Sequence, residues 1–495
     1  MTPISSNRRR LVNRRPVKPA GSFVLYWMTH SRRIRSNFGL QRAVEWANEL
    51  KRPLVVFEPL SISLPWSSQR TTEFIAQGMR ERIREMHSAN VTYLPWVEPE
   101  RDQGKNLLRS LARQACLIVT DDSCSFLSQK MLRAGATQVE CSMEAVETDT
   151  LVPTRRFDRI FKTAASFRRA VHKLDVDELL DFPEVFPLNE YRLGFAQVDF
   201  SQLSAWPTLA RCPVAYGEQL TETLDVDLDV RLSSQDIGGE SAAHAALDNF
   251  LGMHLDNYSE ARKHPDDNGG SKLSAFLHMG ALSTHDILGR VLEKEQWNPD
   301  RINMGRVGAR EGWWGVSTDS ENFLDQLVVW RELGWNGARH DPYFGSWEGI
   351  PEWARTTLDE HQQDPRPNYY SIATLEESRT DDPIWNAAQS ELVRTGHLHN
   401  YLRMVWGKRV IEWSKTPEEA FARLIHLNNK YALDGRDPNS SSGISWVFGK
   451  FDRAWGPERP IFGKVRYMSS LNTRRKLRLN KYLSRFDPSA ARLFA

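Results

Sequence analysis

The sequence predicts two folds in tandem: an α/β domain on a parallel, Rossmann-like sheet, then an all-helical domain. Three observations carry this. At 495 residues the chain exceeds what a single core organises. Up to about residue 150, short apolar runs alternate with amphipathic stretches. After Gly238-Gly239, apolar residues recur at helical spacing and strand-like runs cease.

The elements follow in order. Residues 1–20 lack a core-forming pattern and read as a flexible basic arm. Phe23 to Trp27 reads as a strand, Gln41 to Leu50 as a helix and Leu54 to Phe57 as a strand. Arg70 to His87 is helical, Val91 to Leu94 extended, Asn106 to Gln114 helical and Leu117 to Thr120 extended. Repeated strand–helix–strand units give a parallel sheet covered by helices, with ligands at the carboxyl ends of the strands. Residues 21–150 are therefore expected to form the α/β domain. In 151–237, Pro153, Pro183, Pro187, Pro207 and Pro213 break any long helix, so this stretch reads as a connection carrying short helices. Residues 238–495 form the helical domain, with patterns over Leu282 to Leu292, Phe323 to Leu333, Trp385 to Val393, Tyr401 to Trp413 and Glu418 to Leu427.

Composition narrows the function. Hydrophobic residues at 40% and charged ones at 26% describe a globular chain rather than a disordered or fibrous one. No apolar run approaches the roughly 20 residues that span a bilayer, so no membrane association is expected. The arginines near the N-terminus precede no apolar segment, so no secretory signal is expected either. Cys116, Cys124, Cys141 and Cys212 form neither a CxxC pair nor a disulfide framework, which points to a reducing cytoplasm and no metal centre. The net charge of +2 conceals an asymmetry: between Lys450 and Arg485 basic residues dominate, and the only acidic ones are Asp452 and Glu458. Such a stretch favours a phosphate-bearing partner. The 17 tryptophans, mostly in the second half, suit either core packing or a site that handles flat rings.

Two local motifs add chemistry. Gly269-Gly270-Ser271-Lys272-Leu273-Ser274 precedes a helical pattern, where a backbone can approach an anion. In Leu433-Asp434-Gly435-Arg436-Asp437-Pro438-Asn439, a turn explains Gly435 and Pro438 but does not require Asp434, Arg436 and Asp437 together. Trp385-Asn386-Ala387-Ala388-Gln389, Leu433 to Asn439, and Ile461 to Met468 together resemble the photolyase/cryptochrome family, and within it the class II cyclobutane pyrimidine dimer photolyases. Tyr26-Trp27-Met28, Leu273-Ser274 and Leu277-His278 support the resemblance, which runs from about residue 22 to 483.

The resemblance implies an N-terminal domain that often holds an antenna chromophore, a deazaflavin or a folate, and a helical domain that binds FAD. It implies that Tyr258, Ser271, Leu273, Ser274 and Leu277 line the diphosphate and ribityl region and that Arg331 reaches the phosphates. Arg403 and Asp434 are then a salt bridge beside the isoalloxazine, Asn428 faces flavin N5, and Gly435, Arg436 and Asp437 continue that wall. Trp385, Trp406 and Trp413 match the family's electron chain; seven residues make nearly two helical turns, so Trp406 and Trp413 share a face. Trp330, Trp446 and Met404 match the pocket for an extruded dimer, and Arg453 and Arg466, with Lys450 and Lys464 in the same basic stretch, match the DNA-facing rim. Damaged DNA is the implied partner, and a monomer the implied state.

Two positions depart from the family pattern. Gln326 stands where the family places a glutamate that hydrogen-bonds the lesion; an amide still donates, but it does not titrate. Asn400 stands where class II members usually carry glycine. The expected function is light-driven repair of pyrimidine dimers. The alternatives are a cryptochrome-like blue-light sensor, which Gln326 keeps open, and a flavoprotein acting on another substrate. Gln362 to Thr380 carries no interpretable feature.

Overall fold

The computed structural model describes residues 3–210, 214 and 224–491; Cys212 and Pro213 lie outside them. The chain divides into two compact units. The first comprises Met1–Phe157, Asp175–Leu247 and Leu273–Arg290, and the second Asp158–Leu174, Asp248–Lys272 and Val291–Ala495.

The first unit is built on a six-stranded sheet of β1 (Arg9–Leu11), β2 (Phe23–Trp27), β3 (Leu54–Leu60), β4 (Thr92–Val97), β5 (Ala115–Asp121) and β6 (Ser142–Val146), in the order β1-β6-β5-β2-β3-β4. All neighbours are parallel except β1, which runs antiparallel to β6. Every residue of β2 and β5 is buried, as expected of strands covered on both faces. Phe23, Leu25 and Trp27 pack with residues of α3 (Leu107–Gln114) and α4 (Phe126–Gln138). Val24 and Tyr26 point the other way, against α1 (Phe38–Leu50) and Met86 of α2 (Gln69–Ser88). Asn37 and Ser68 cap α1 and α2 with their side-chain oxygens.

The leading residues are not a flexible arm. Arg9 to Leu11 pair in register with Val146 to Glu144. Arg8 is fully buried, donates to the carbonyls of Thr150 and Leu151 at 3.0 and 2.6 Å, and pairs with Asp181 at 3.1 Å. Composition misleads here because an arginine whose charge and N–H groups are all satisfied can lie inside.

At the carboxyl ends of β2 and β5, where chain order switches across the sheet, Asp121 accepts the backbone N–H groups of Thr29, His30 and Ser31 at 2.8, 2.7 and 3.1 Å. A side chain of the protein thus fills the anion-binding crevice typical of such sheets. Beside it, Arg82 donates twice to Glu58 at 2.8 Å, and Tyr93 donates to the same carboxylate at 2.5 Å.

The second unit is helical. The elements that matter here are α5 (Ala164–Val171), α6 (Thr318–Leu324), a π-helical segment (Asp325–Arg331), α7 (Glu332–His340), α8 (Pro383–Thr395), α9 (Asn400–Glu412), α10 (Pro417–Tyr431), α11 (Pro438–Val447) and α12 (Ser470–Lys476). At the centre, α11 packs against the π segment, α7, α9 and α10. Two glycines allow that approach. A Cβ on Gly407 of α9 would lie 2.6 Å from Val447, and one on Gly334 of α7 would lie 2.7 Å from Ser442. Among the described residues, no helix is long and apolar enough to cross a membrane.

Glu58→Gln leaves the buried Arg82 without its counter-charge. It is expected to lower stability by about 3 kcal/mol, measured as a lower urea midpoint at an unchanged m value.

Candidate functional site

Gln326, Trp330 and Arg331 all lie on the π segment, a local widening of helical hydrogen bonding that recurs at functional sites. Gln326 and Trp330 are half-buried, while Leu327, Val328 and Val329 between them face the core. The neighbouring Asp325 is committed elsewhere: Arg168 of α5 grips both its oxygens, at 2.6 and 3.0 Å. Asn400 opens α9 and is exposed, and Met404 follows one turn later on the same face. Because α11 packs on both the π segment and α9, it brings Trp446 to the elements that carry Trp330 and Met404.

One turn of α9 supplies Arg403, the centre of a polar cluster. Its guanidinium donates to Asn428 Oδ1 at 2.8 Å and pairs with Asp434 at 3.5 Å. Asn428, on α10 and 1% exposed, donates from Nδ2 to Ser440 Oγ at 2.9 Å and to Asn429 Oδ1 at 3.1 Å. Gly435 is pressed against this turn, where a Cβ would come within 3.0 Å of the Asn429 Cα. Arg436 adopts a left-handed conformation with φ 71° and donates its N–H to Asn429 Oδ1. Asp437 caps α11 through the Asn439 N–H. Asp434 and Asp437, which a turn alone did not require, therefore serve an ion pair and a helix cap. Ser440 and Asn429 were not singled out from sequence, because neither type carries a spacing signal.

The aromatic residues Trp385, Trp406 and Trp413 are all buried. Trp385 of α8 lies between the other two. It stacks on Trp406 at 6.5 Å between centroids and 7° between planes, and meets Trp413 edge-on at 5.3 Å. Trp413 sits just past the end of α9, and its outer side meets Tyr370 edge-on at 5.0 Å. Tyr370 belongs to the stretch that carried no interpretable feature. Arg409 lies 4.6 Å over the Trp413 ring and pairs with Asp382 and Glu412. The Trp406 indole donates to Gln389 at 2.9 Å, and the Trp385 indole donates to the Trp406 carbonyl at 3.0 Å.

Several expected residues take other parts. Lys450 is internal, donating to Asp341 at 2.7 Å and to the Gly349 carbonyl at 2.8 Å, so it presents no charge to DNA. Arg466 is bound at two points to Asp452 and sandwiched between Trp455 at 3.9 Å and Trp446 at 5.4 Å; it braces Trp446 instead of standing free. Lys464 is exposed but pairs with Glu458 at 3.2 Å. Arg453 is exposed and stacks on Trp455 at 4.6 Å. In α12, Arg474, Arg475 and Lys476 are exposed in the last turn. Arg331 is buried, paired with Glu332 at 2.9 Å and 4.9 Å from the Trp335 ring, which holds its charge inside the helical unit. Tyr258 is packed edge-on between Phe250 and Phe323. Ser271 belongs to the second unit, whereas Leu273, Ser274 and Leu277 belong to the first, where Ser274 begins a helix of only five residues. Among the described residues, no group of His, Cys, Asp and Glu is placed to hold a metal.

The chain is 32% identical over 489 residues to a protein from Methanothermobacter thermautotrophicus named deoxyribodipyrimidine photo-lyase, across 97% of this chain and 98% of that one. It is 30% identical over 470 residues to the Arabidopsis thaliana protein of the same name, across 93% and 88%. This chain belongs to the photolyase/cryptochrome family. No family model matches it. The photolyase/cryptochrome fold also appears in a class III photolyase from Agrobacterium tumefaciens (TM-score 0.66, 17% identity, 94% and 86% of the two chains) and a Synechocystis cryptochrome (TM-score 0.67, 16% identity, 95% and 89%).

Behind Trp446, this photolyase-family chain buries a lysine completely. Lys408 donates to the Val447 carbonyl, and its Nζ lies 5.6 Å from the Trp446 ring. Burial pulls its pKa down from 10.5 to about 7, against the pull of Asp452 and with the help of Arg466. Between those values the unfolded chain binds a proton that the folded chain does not, so stability rises with pH across that window. Lys408→Met is expected to flatten this rise, read from urea midpoints at several pH values within the window.

Proposed function

We propose that this chain is a class II cyclobutane pyrimidine dimer photolyase that repairs DNA in light with FAD bound in its helical unit. One observation carries the reading: α9 brings Arg403 to the polar cluster and, one turn later, Trp406 to the start of a stacked tryptophan series.

The residues suit a flavin. Asp434 Oδ1, which reaches Arg403 only at 3.5 Å, is buried without a hydrogen bond among the described residues, as are Ser442 Oγ and Ser445 Oγ of α11. Buried polar atoms left unpaired on α11 and in the turn before it suit a ring with carbonyl and N–H edges. When bound, a flavin would supply light-driven one-electron chemistry at this site. In this reading Asn428 presents a neutral amide, with Ser440 and Asn429 fixing its orientation, while Arg403 and Asp434 flank the ring. Gly435, Arg436 and Asp437 shape the adjoining turn. Tyr258 and Ser271 are the candidates within the second unit for the rest of the cofactor, and Arg331 would have to leave Glu332 to reach its phosphates.

A dimer inside a duplex must be extruded before it meets the cofactor, and its weakened stacking lowers that cost. Trp330, Trp446 and Met404 would hold the extruded dimer, with Asn400 at its rim and Arg466 bracing Trp446. Gln326 would donate to a thymine carbonyl. Arg453, Lys464 and the exposed basic end of α12 would attract phosphates irrespective of sequence. Trp406, Trp385 and Trp413 would refill the flavin from outside. A deazaflavin or folate antenna is a proposal for the first unit; the N–H groups of Thr29, His30 and Ser31, already bonded to Asp121, are not available to bind it.

A blue-light sensor is the second reading, favoured by Gln326, which lacks the charge of the family glutamate. Repair decides between them: purified protein with FAD, illuminated with dimer-containing DNA, is expected to restore thymine absorbance, whereas a sensor leaves it unchanged. Gln326→Glu is expected to speed repair per absorbed photon roughly tenfold, the scale of one charged hydrogen bond. Trp406→Phe is expected to abolish photoreduction of oxidised flavin while leaving repair by chemically reduced protein intact.

A further inference from the structure

The three tryptophans differ in where their indole protons go. Trp406 donates to the amide oxygen of Gln389 at 2.9 Å, and Trp385 donates to a peptide carbonyl at 3.0 Å. Trp413 Nε1 is buried with no partner among the described residues. None of the three indoles is bonded to a group that can take a proton. An indole that loses an electron becomes strongly acidic, and it releases its proton only where a base lies within hydrogen-bond reach. An amide oxygen accepts a hydrogen bond but is no base near neutral pH.

Gln389 is fully buried on α8, within the Trp385-Asn386-Ala387-Ala388-Gln389 motif, and its Nε2 is unsatisfied among the described residues. A buried amide with one end unpaired is a costly way merely to satisfy an indole. By contrast, carboxylates gather at the other end of the series, where Asp382 and Glu412 pair with the Arg409 that covers Trp413. These two carboxylates offset the Arg409 charge that faces the Trp413 ring.

We propose that Gln389 is a positioning residue that orients the Trp406 indole through its N–H and, being no base, leaves the indole proton in place when Trp406 is oxidised, so that the electron vacancy moves outward through Trp385. The inference rests on the flavin reading above. Trp406 gives one electron to the light-excited oxidised flavin and takes one from Trp385. Trp385 takes one from Trp413, and an external thiol reductant refills Trp413. No proton moves between the indoles, so no step waits for one. With a carboxylate at position 389, the proton would pass from Trp406 Nε1 to that carboxylate. The neutral radical left behind would hold the vacancy next to the cofactor.

The test uses the full chain loaded with FAD, together with Gln389→Glu, Gln389→Leu, Gln389→His and Trp406→Phe. Flash photolysis distinguishes protonated from deprotonated tryptophan radicals by their visible bands. The wild type and Gln389→Leu are expected to give only the protonated form. Gln389→Glu is expected to give a long-lived deprotonated radical and to slow flavin photoreduction at least about tenfold, the effect of one pK unit of proton stabilisation. If the glutamate variant fails to fold, Gln389→His offers a base whose effect grows as pH rises and the imidazole becomes neutral. In FAD-free protein, ultraviolet resonance Raman of the Trp406 indole, isolated by difference from Trp406→Phe, is expected to shift in the glutamate and leucine variants. A protonated radical and wild-type rate in both Gln389→Glu and Gln389→His would overturn the proposal, as would a deprotonated radical in Gln389→Leu. Photoreduction that survives Trp406→Phe would instead refute the tryptophan series itself, and the role of Gln389 with it.

Discussion

A positive charge withdrawn from solvent needs partners, and Arg403 imposes that requirement on the helical unit. It sits mid-way through the first turns of α9, and its needs are met from α10 by Asn428 and from the following turn by Asp434. The chain between α10 and α11 accordingly closes tightly, with Gly435 pressed on Asn429 and Arg436 left-handed. Because α9 is one rigid rod, fixing Arg403 also fixes Trp406 one turn on and Lys408 on another face. The polar cluster, the inner end of the aromatic series and the support behind Trp446 are three readings of a single helix.

Dense packing around α11 makes this arrangement exact. Gly334 and Gly407 admit it to within contact distance of α7 and α9, and any larger residue would push those helices away. The π segment adds a second adjustment, since its wider turn re-aims the residues that follow. Arg168 holds that turn at Asp325, on a segment that precedes it by well over a hundred residues. Shape here comes from small residues and one ion pair, while the large aromatics fill the space so defined.

The strands with unbroken apolar runs, Phe23 to Trp27 and Leu54 to Phe57, were readable because burial on both faces leaves no polar positions. Ser142 to Val146 was not, since Glu144 lies inside it and is compensated by Arg9 and Arg42. Arg8 to Leu11 escaped for the same reason: pairing between distant residues carries no local signal. The tryptophan spacing on α9 was legible, but the interposition of Trp385 depends on how α8 and α9 pack. Gln389 and Tyr370 matter through neighbours that no spacing reveals. The basic stretch announced its charge, yet Lys450 and Arg466 spend theirs on Asp341 and Asp452, which only the fold brings near.

The short strand at the front of the chain guards the rim of the sheet. Arg9 and Arg10 put charge on it, and it covers β6 from Glu144 to Val146. Trimming the first dozen residues would strip that seal and leave a bare, pairing-competent ladder. Such a trimmed protein would meet its own copies edge to edge, and a preparation begun at Asn13 would be prone to self-association whether or not its helical unit were intact.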